Sequence, residues 1–209
     1  MFPYWNVTTI DAYELGSVSS RKRGYAVAFR EETDFQFPTI PKLPEHKRLT
    51  VGQVLGKDWE EGDWRTIKGS TMEHLLSKDG KKNNFSAHKN RTLVGLEDKK
   101  ISCIIANYAK INVTSSYFKH PENPDLWRLF RSDELARFLD VPDSFSFPEF
   151  ISENQRAALL GQSVSGNVVR AIGIEVAYSL MKQRVQQSVE RQMTIPLEQN
   201  QNNQLAFII

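Results

Sequence analysis

The chain of 209 residues holds a single cysteine, Cys103, so no internal disulfide can staple it and no cysteine-based zinc site can form. Its four histidines, His46, His74, His88 and His120, show no metal-ligand spacing. No apolar run approaches the roughly 18 residues a membrane helix needs, and the N-terminal Met1-Phe2-Pro3-Tyr4-Trp5-Asn6 lacks the basic start and apolar stretch of a secretory signal. A reducing cytoplasm is the expected compartment. An excess of one sign of charge is lacking as well: the net value is +2, which permits a nucleic-acid partner without arguing for one. Internal repeats are missing.

What is present is a hydrophobic content of 40% with 25% charged residues, ordinary for a globular fold with its own core. Two short strands are predicted around a basic turn, Trp5–Ile10 and Gly24–Phe29, with Arg21-Lys22-Arg23 where the turn enters the second strand. On residues alone, a solvated Arg-Lys-Arg turn is the commoner outcome. From Arg30 to Pro44 the chain is polar, with Pro38, Pro41 and Pro44, as expected of an extended connector. Residues 46–125 mix short elements with turn signals and read as a small irregular α+β module. Within it, Lys78, Lys81, Lys82, Lys89 and Arg91 form a candidate phosphate-facing loop, although a charged surface loop is the bland alternative. Ile101–Tyr108 is predicted as an apolar strand, in which Cys103 reads as structural because no basic residue adjoins it in sequence.

Three helices follow. Ser132 is the expected N-cap of the first, which Pro142 stops; Ser152 caps a second through Leu160. A third runs from about Ser165 to Arg191, and its Val168, Val169, Ile172, Ile174, Val176 and Leu180 need an apolar partner. The tail from 196 onward is polar until Leu205–Ile209 and is expected to lack order.

Three blocks in this order resemble motifs of the cytosine-5 DNA methyltransferase family. Gly16, Arg21, Lys22 and Arg23 with the following strand resemble its Gly-Val-Pro-Gln-x-Arg-x-Arg turn, with Val18 and Ser19 in place of Pro and Gln. Arg128–Phe145 is similar to the Arg-x-Leu-Thr-Pro-Arg-Glu-x-Ala-Arg-x-x-Gly-Phe-Pro-Asp block, with Asp140 for Gly. Gln155 and Gly161-Gln162-Ser163-Val164 resemble the Gln and Gly-Asn-Ser-Val motif, with Gln162 for Asn. Between the first two blocks, Cys103 to Lys110 is similar to the recurring Thr-Leu-x-Ala-x-Tyr-x-Lys stretch of the family's target recognition domain.

The resemblance implies part of a doubly wound, Rossmann-like α/β methyltransferase domain with a recognition domain inserted. Residues 1–32 would be a catalytic piece, 33–125 the recognition domain, 126–195 closing helices and 196–209 a tail. It implies Arg23 in the flipped-base pocket with Arg21 beside it toward DNA, and Gln162, Ser163 and Val164 at S-adenosylmethionine. It also implies that Lys81, Lys82, Lys89, Arg91, Tyr108 and Lys110 contact double-stranded DNA. The family's Phe-x-Gly-x-Gly cofactor loop, Pro-Cys-Gln nucleophile and Glu-Asn-Val motif have no counterpart in this sequence. A complementary chain carrying them is the expected partner, in the cytoplasm at the nucleoid. Two alternatives stay open: a catalytically inactive DNA-binding derivative, and a piece of an ordinary one-chain enzyme.

Overall fold

The computed structural model describes residues 2–40, 43–77 and 86–193; Lys78, Lys81, Lys82 and the tail from 194 lie outside them. The first two strands form as the alternation predicts: β1 (Tyr4–Asp11) pairs antiparallel with β2 (Lys22–Phe29), from Tyr4↔Phe29 to Asp11↔Lys22. The intervening loop is organised by Asp11, whose carboxylate accepts from the Tyr13 and Arg21 amides and from the Ser20 hydroxyl. The stretch after β2 has no regular structure but is no solvated linker. Phe35 is buried, 5.4 Å from the Phe29 ring and 5.1 Å from Phe37.

The module that follows contains α1 (Val51–Leu55), opened by a reciprocal Thr50–Gln53 capping box, and α2 (Thr71–Ser77). Its sheet runs in the order β3 (Arg65–Thr66), β6 (Leu126–Arg128), β5 (Tyr117–Lys119), β4 (Leu93–Val94), with only the β4–β5 pair parallel. The boundary expected at 125 therefore falls within the β5–β6 hairpin, and Trp127, Phe130, Leu135, Phe138 and Leu160 share one core with Val51, Leu55 and Phe118. The strand expected over Ile101–Tyr108 reduces to one parallel bridge, Ser19↔Ile101, and residues 106–109 turn. No doubly wound parallel sheet occurs among the described residues; the fold is mixed α/β.

Helix α3 (Ser132–Phe138) starts one residue after its cap, Arg131, whose amide is held by Glu134. Ser132 does not serve as the cap: its amide and hydroxyl both donate to Glu153, the first residue of α4 (Glu153–Gln162), and so join the two helices. Ser152 does stand at the N-cap of α4, where its amide and hydroxyl both donate to the Gln155 side-chain oxygen. In α5 (Gly166–Met193), Val168, Ile172 and Val176 lie against Ile10 and Phe29 of the ribbon and Phe35 just after it, forming a second, smaller core. Val169, Ile174 and Leu180, predicted to bury, remain 49%, 58% and 40% exposed.

The larger core encloses an ion pair. Arg128 donates from both terminal nitrogens to Glu134 at 2.7 Å, beside the Trp64 and Phe118 rings, and its second nitrogen also reaches the Trp59 carbonyl. Both side chains are out of solvent, at 1% and 0% exposure. Glu134→Ala would strand a buried guanidinium, so a loss of about 3–5 kcal/mol in unfolding free energy by urea titration is expected. A loss under about 1 kcal/mol would mean the pair is not desolvated.

Candidate active-site edge

Three segments distant in sequence meet at Arg21. Its side chain is fully buried, and its Nε donates to the Ser163 carbonyl at 2.8 Å, Nη1 to Ile104 O at 2.5 Å and Nη2 to Gly161 O at 2.9 Å. A further Nη2 bond goes to Ser163 O. No carboxylate is among these partners. The cation is neutralised by carbonyl dipoles at the C-terminus of α4, the negative end of that helix. Burial nonetheless holds its pKa below the usual arginine value, with the nearby Cys103 sulfur acting in the opposite direction. Arg21, expected beside Arg23 and facing DNA, is therefore an internal clamp and not a surface contact.

The clamp works at close range because the last turn of α4 carries a glycine: a Cβ at Gly161 would collide with the backbone of Ile105 and Ala106. Two positions on, with its side chain on the same face of β2, Arg23 is half-buried. Its Nη1 donates to the Lys22 carbonyl at 2.9 Å, and its Nη2 lies 3.9 Å from the Cys103 sulfur. Most of this fork's donors remain uncommitted to protein groups among the described residues. Cys103 thus has two guanidinium neighbours, with Arg21 Nη1 at 3.6 Å, brought from about 80 positions away in the chain. Tyr25, next on this face, was not singled out by the sequence; its hydroxyl is buried without a hydrogen-bond partner among the described residues, and burial raises its pKa.

The third block is split by exposure. Ser163 directs its carbonyl at Arg21 and its hydroxyl at Leu160 O, 2.8 Å away. Gln162 is exposed, beside an apolar hollow of about 320 Å³ lined by Phe150, Ile151, Gln155, Ala158 and Leu159. Val164 is 40% exposed.

A second clamp ties all three motif blocks. Asp140 stands with φ at 55°, the left-handed conformation that Gly adopts freely and Asp tolerates best among side-chain-bearing residues with Asn. Its carboxylate accepts from Ser17 Oγ and, at 2.8 Å, from Ser165 Oγ. Gly166 packs on the Asp140 carbonyl, where a Cβ would not fit. Burial raises the Asp140 carboxyl above the usual range, opposed by the two hydroxyl bonds.

The remaining expected DNA contacts do not converge on this edge. Tyr108 is 2% exposed, donates to Ser116 O at 3.0 Å and accepts from the Phe130 amide, so its hydroxyl is spent inside the core and cannot read a base. Lys89 and Lys110 are exposed. Arg91 is exposed, with φ at 52° and Asp98 at 3.7 Å.

Arg21→Lys keeps the charge but not the planar fork, so at least one buried carbonyl loses its donor. Urea unfolding should show a loss of about 2 kcal/mol or more, and an unchanged midpoint would refute the clamp. For Asp140 the sign runs the other way from a typical carboxylate. A folded pKa raised above the unfolded one makes its contribution most favourable below the unfolded value and erodes it as pH rises through the folded value. Asp140→Asn should therefore gain stability relative to the parent as pH rises above the unfolded carboxyl value of about 4, read from unfolding curves at each pH.

With this geometry in place, the comparisons are specific. Three solved structures share the fold: Entamoeba histolytica methyltransferase EhMeth, at TM-score 0.58, 19% identity and 82% of this chain against 52% of that one; S. pombe Dnmt2 methyltransferase, at 0.59, 19%, 82% and 55%; and a mutant of Spodoptera frugiperda DNMT2, at 0.55, 20%, 82% and 56%. The chain thus spans about half the length of these structures. No curated protein sequence matches it. The family model for C-5 cytosine-specific DNA methylase matches residues 4–177, from the first residue of β1 into α5 and across all three clamped blocks, so the chain belongs to that family.

Proposed function

We propose that this chain is the DNA-recognition portion of a cytosine-5 methyltransferase that uses S-adenosylmethionine, completed by a second chain carrying the cofactor loop and the Pro-Cys-Gln nucleophile. The ribbon β1–β2 and α5 are its share of a doubly wound catalytic domain, and the module around the four-stranded sheet is the inserted recognition domain.

The observation that carries this reading is the division of labour between two arginines. Arg21 spends its donors on Gly161, Ser163 and Ile104, fixing the first block to the third, whereas Arg23 keeps donors in reserve on the same face. A guanidinium so held can donate to the carbonyl of a flipped cytosine and stabilise charge that develops on the ring. Arg21 is then a positioning residue and Arg23 the group that meets the base.

S-adenosylmethionine supplies the methyl group when bound. The residues fit one edge of such a ligand: the exposed Gln162 amide offers a donor and an acceptor for an amino-acid end, and the adjacent hollow offers an apolar wall. Ser163 contributes through its backbone, its hydroxyl being taken, and Val164 by its exposed apolar surface. Lys89, Arg91 and Lys110, with Lys81 and Lys82, would supply salt-dependent phosphate contacts. Among the described residues no helix is long and apolar enough to cross a membrane, and a cytoplasmic, nucleoid-bound site suits the substrate.

Mixing the chain with a complementary chain should reconstitute methyl transfer to duplex DNA; none at any stoichiometry would sink the reading. In that mixture Arg23→Ala should lower the methylation rate by about 100-fold or more with DNA affinity nearly unchanged. Equal loss of binding would make Arg23 a phosphate contact instead.

A further inference from the structure

The turn that leads to Arg21 and Arg23 departs from the family's Gly-Val-Pro-Gln pattern at three consecutive positions, Ser17, Val18 and Ser19. A proline at 18 would fix its own φ and restrict the residue before it; valine does neither. Ser19 is fully buried, and its hydroxyl has no hydrogen-bond partner among the described residues. Neither exchange supplies anything that stiffens the turn.

The third departure meets a fourth. Ser17, 2% exposed, donates through Oγ to Asp140, the residue that stands where the family has Gly. The same carboxylate oxygen accepts from Ser165 Oγ at 2.8 Å, and the two serine oxygens lie 3.3 Å apart. Glycine would take the left-handed backbone at position 140 without strain, so the carboxylate is present against the local preference. From Ser17 a short path leads to the base-facing group. Ser17 N donates to Ala12 O at 3.2 Å, Ala12 N donates to Arg21 O at 3.1 Å, and Arg23 follows two residues on in β2. The carbonyl cage around Arg21 anchors the end of the turn, and the Asp140 bond anchors its middle.

We propose that Asp140 is a positioning residue for methyl transfer: acting through Ser17, it gives the turn the rigidity that a proline at 18 would give, and so holds Arg23 toward the base. This rests on the reading under Proposed function, which assigns Arg23 its task.

The test uses full-chain variants, alone and mixed with a purified chain bearing the Phe-x-Gly-x-Gly, Pro-Cys-Gln and Glu-Asn-Val motifs. In the mixture, Asp140→Gly and Ser17→Ala should each lower kcat by about tenfold, with KM for duplex DNA and the affinity between the chains unchanged. The two changes together should cost no more than either alone, because both remove one interaction. Asp140→Asn keeps an acceptor for the serines and should stay within about twofold of the parent. The Val18 amide makes no hydrogen bond among the described residues, so proline is admissible there. Added to Asp140→Gly, Val18→Pro should restore kcat to within about threefold of the parent. In the free chain, hydrogen exchange over residues 12–23 should quicken by about fivefold or more in Asp140→Gly and return toward the parent rate with Val18→Pro. Unchanged kcat in Asp140→Gly, or exchange over 12–23 that matches the parent, would overturn the role of Asp140 and leave the proposed function standing. A loss of kcat that Val18→Pro does not restore would overturn it as well. No methyl transfer by the parent mixture would overturn both.

Discussion

A buried guanidinium without a carboxylate is an expensive element, and Arg21 is stable only because three carbonyls converge on it. Two of them, Gly161 and Ser163, lie at the end of α4, where the macrodipole supplies negative potential; the third, from Ile104, is available because that segment makes no strand pairing after the single bridge at Ile101. The dependence is mutual. Without the cation, the α4 terminus and the 103–106 segment would present unpaired carbonyls to each other across a gap that Gly161 makes too narrow for water-rich packing. Lysine could carry the charge but not span three acceptors.

The Ser17–Asp140–Ser165 clamp secures the same junction by a different route. Arg21 and Ser17 both leave the turn between β1 and β2, so one short loop is tied to α4 by a cation and to the start of α5 by an acid. The larger core contains Val18 from this loop, and the ribbon core contains Ile10 and Ala12 just before it. The turn is therefore the point where the two hydrophobic cores touch, and polar clamps set their relative placement where apolar packing alone would allow sliding. The position where Asp140 stands for the family's glycine follows from this: the left-handed backbone is kept, and the added carboxylate is used to bind two serines.

Much of this was legible in the sequence wherever local rules govern. The β-forming residues marked β1 and β2, Ser152 as a cap marked the start of α4, and the helical pattern marked α5. What escaped were long-range competitors. Ser132 has the chemistry of an N-cap, but Glu153 from the next helix claims its amide and hydroxyl. Ile101–Tyr108 has strand propensity, yet beyond Ile101 its carbonyl at Ile104 is aimed at Arg21 and not at a neighbouring strand. Tyr108 reads as a groove contact until the Phe130 amide and Ser116 carbonyl are found around its hydroxyl. Arg21 and Arg23 are indistinguishable as members of a charge run, because only tertiary structure shows which one meets a carbonyl cage.

Stability and interaction also separate along the chain. The Arg128–Glu134 pair, the aromatic cluster around Phe118 and Trp127, and the capped helices all belong to the larger core, which closes on itself. The ribbon has the smaller core and one covered face, and its cohesion on the inner side comes from α5 and from the turn that Arg21 anchors. The ribbon is held in register at its anchored turn, with Tyr4, Trp5 and Val7 at the far, exposed end.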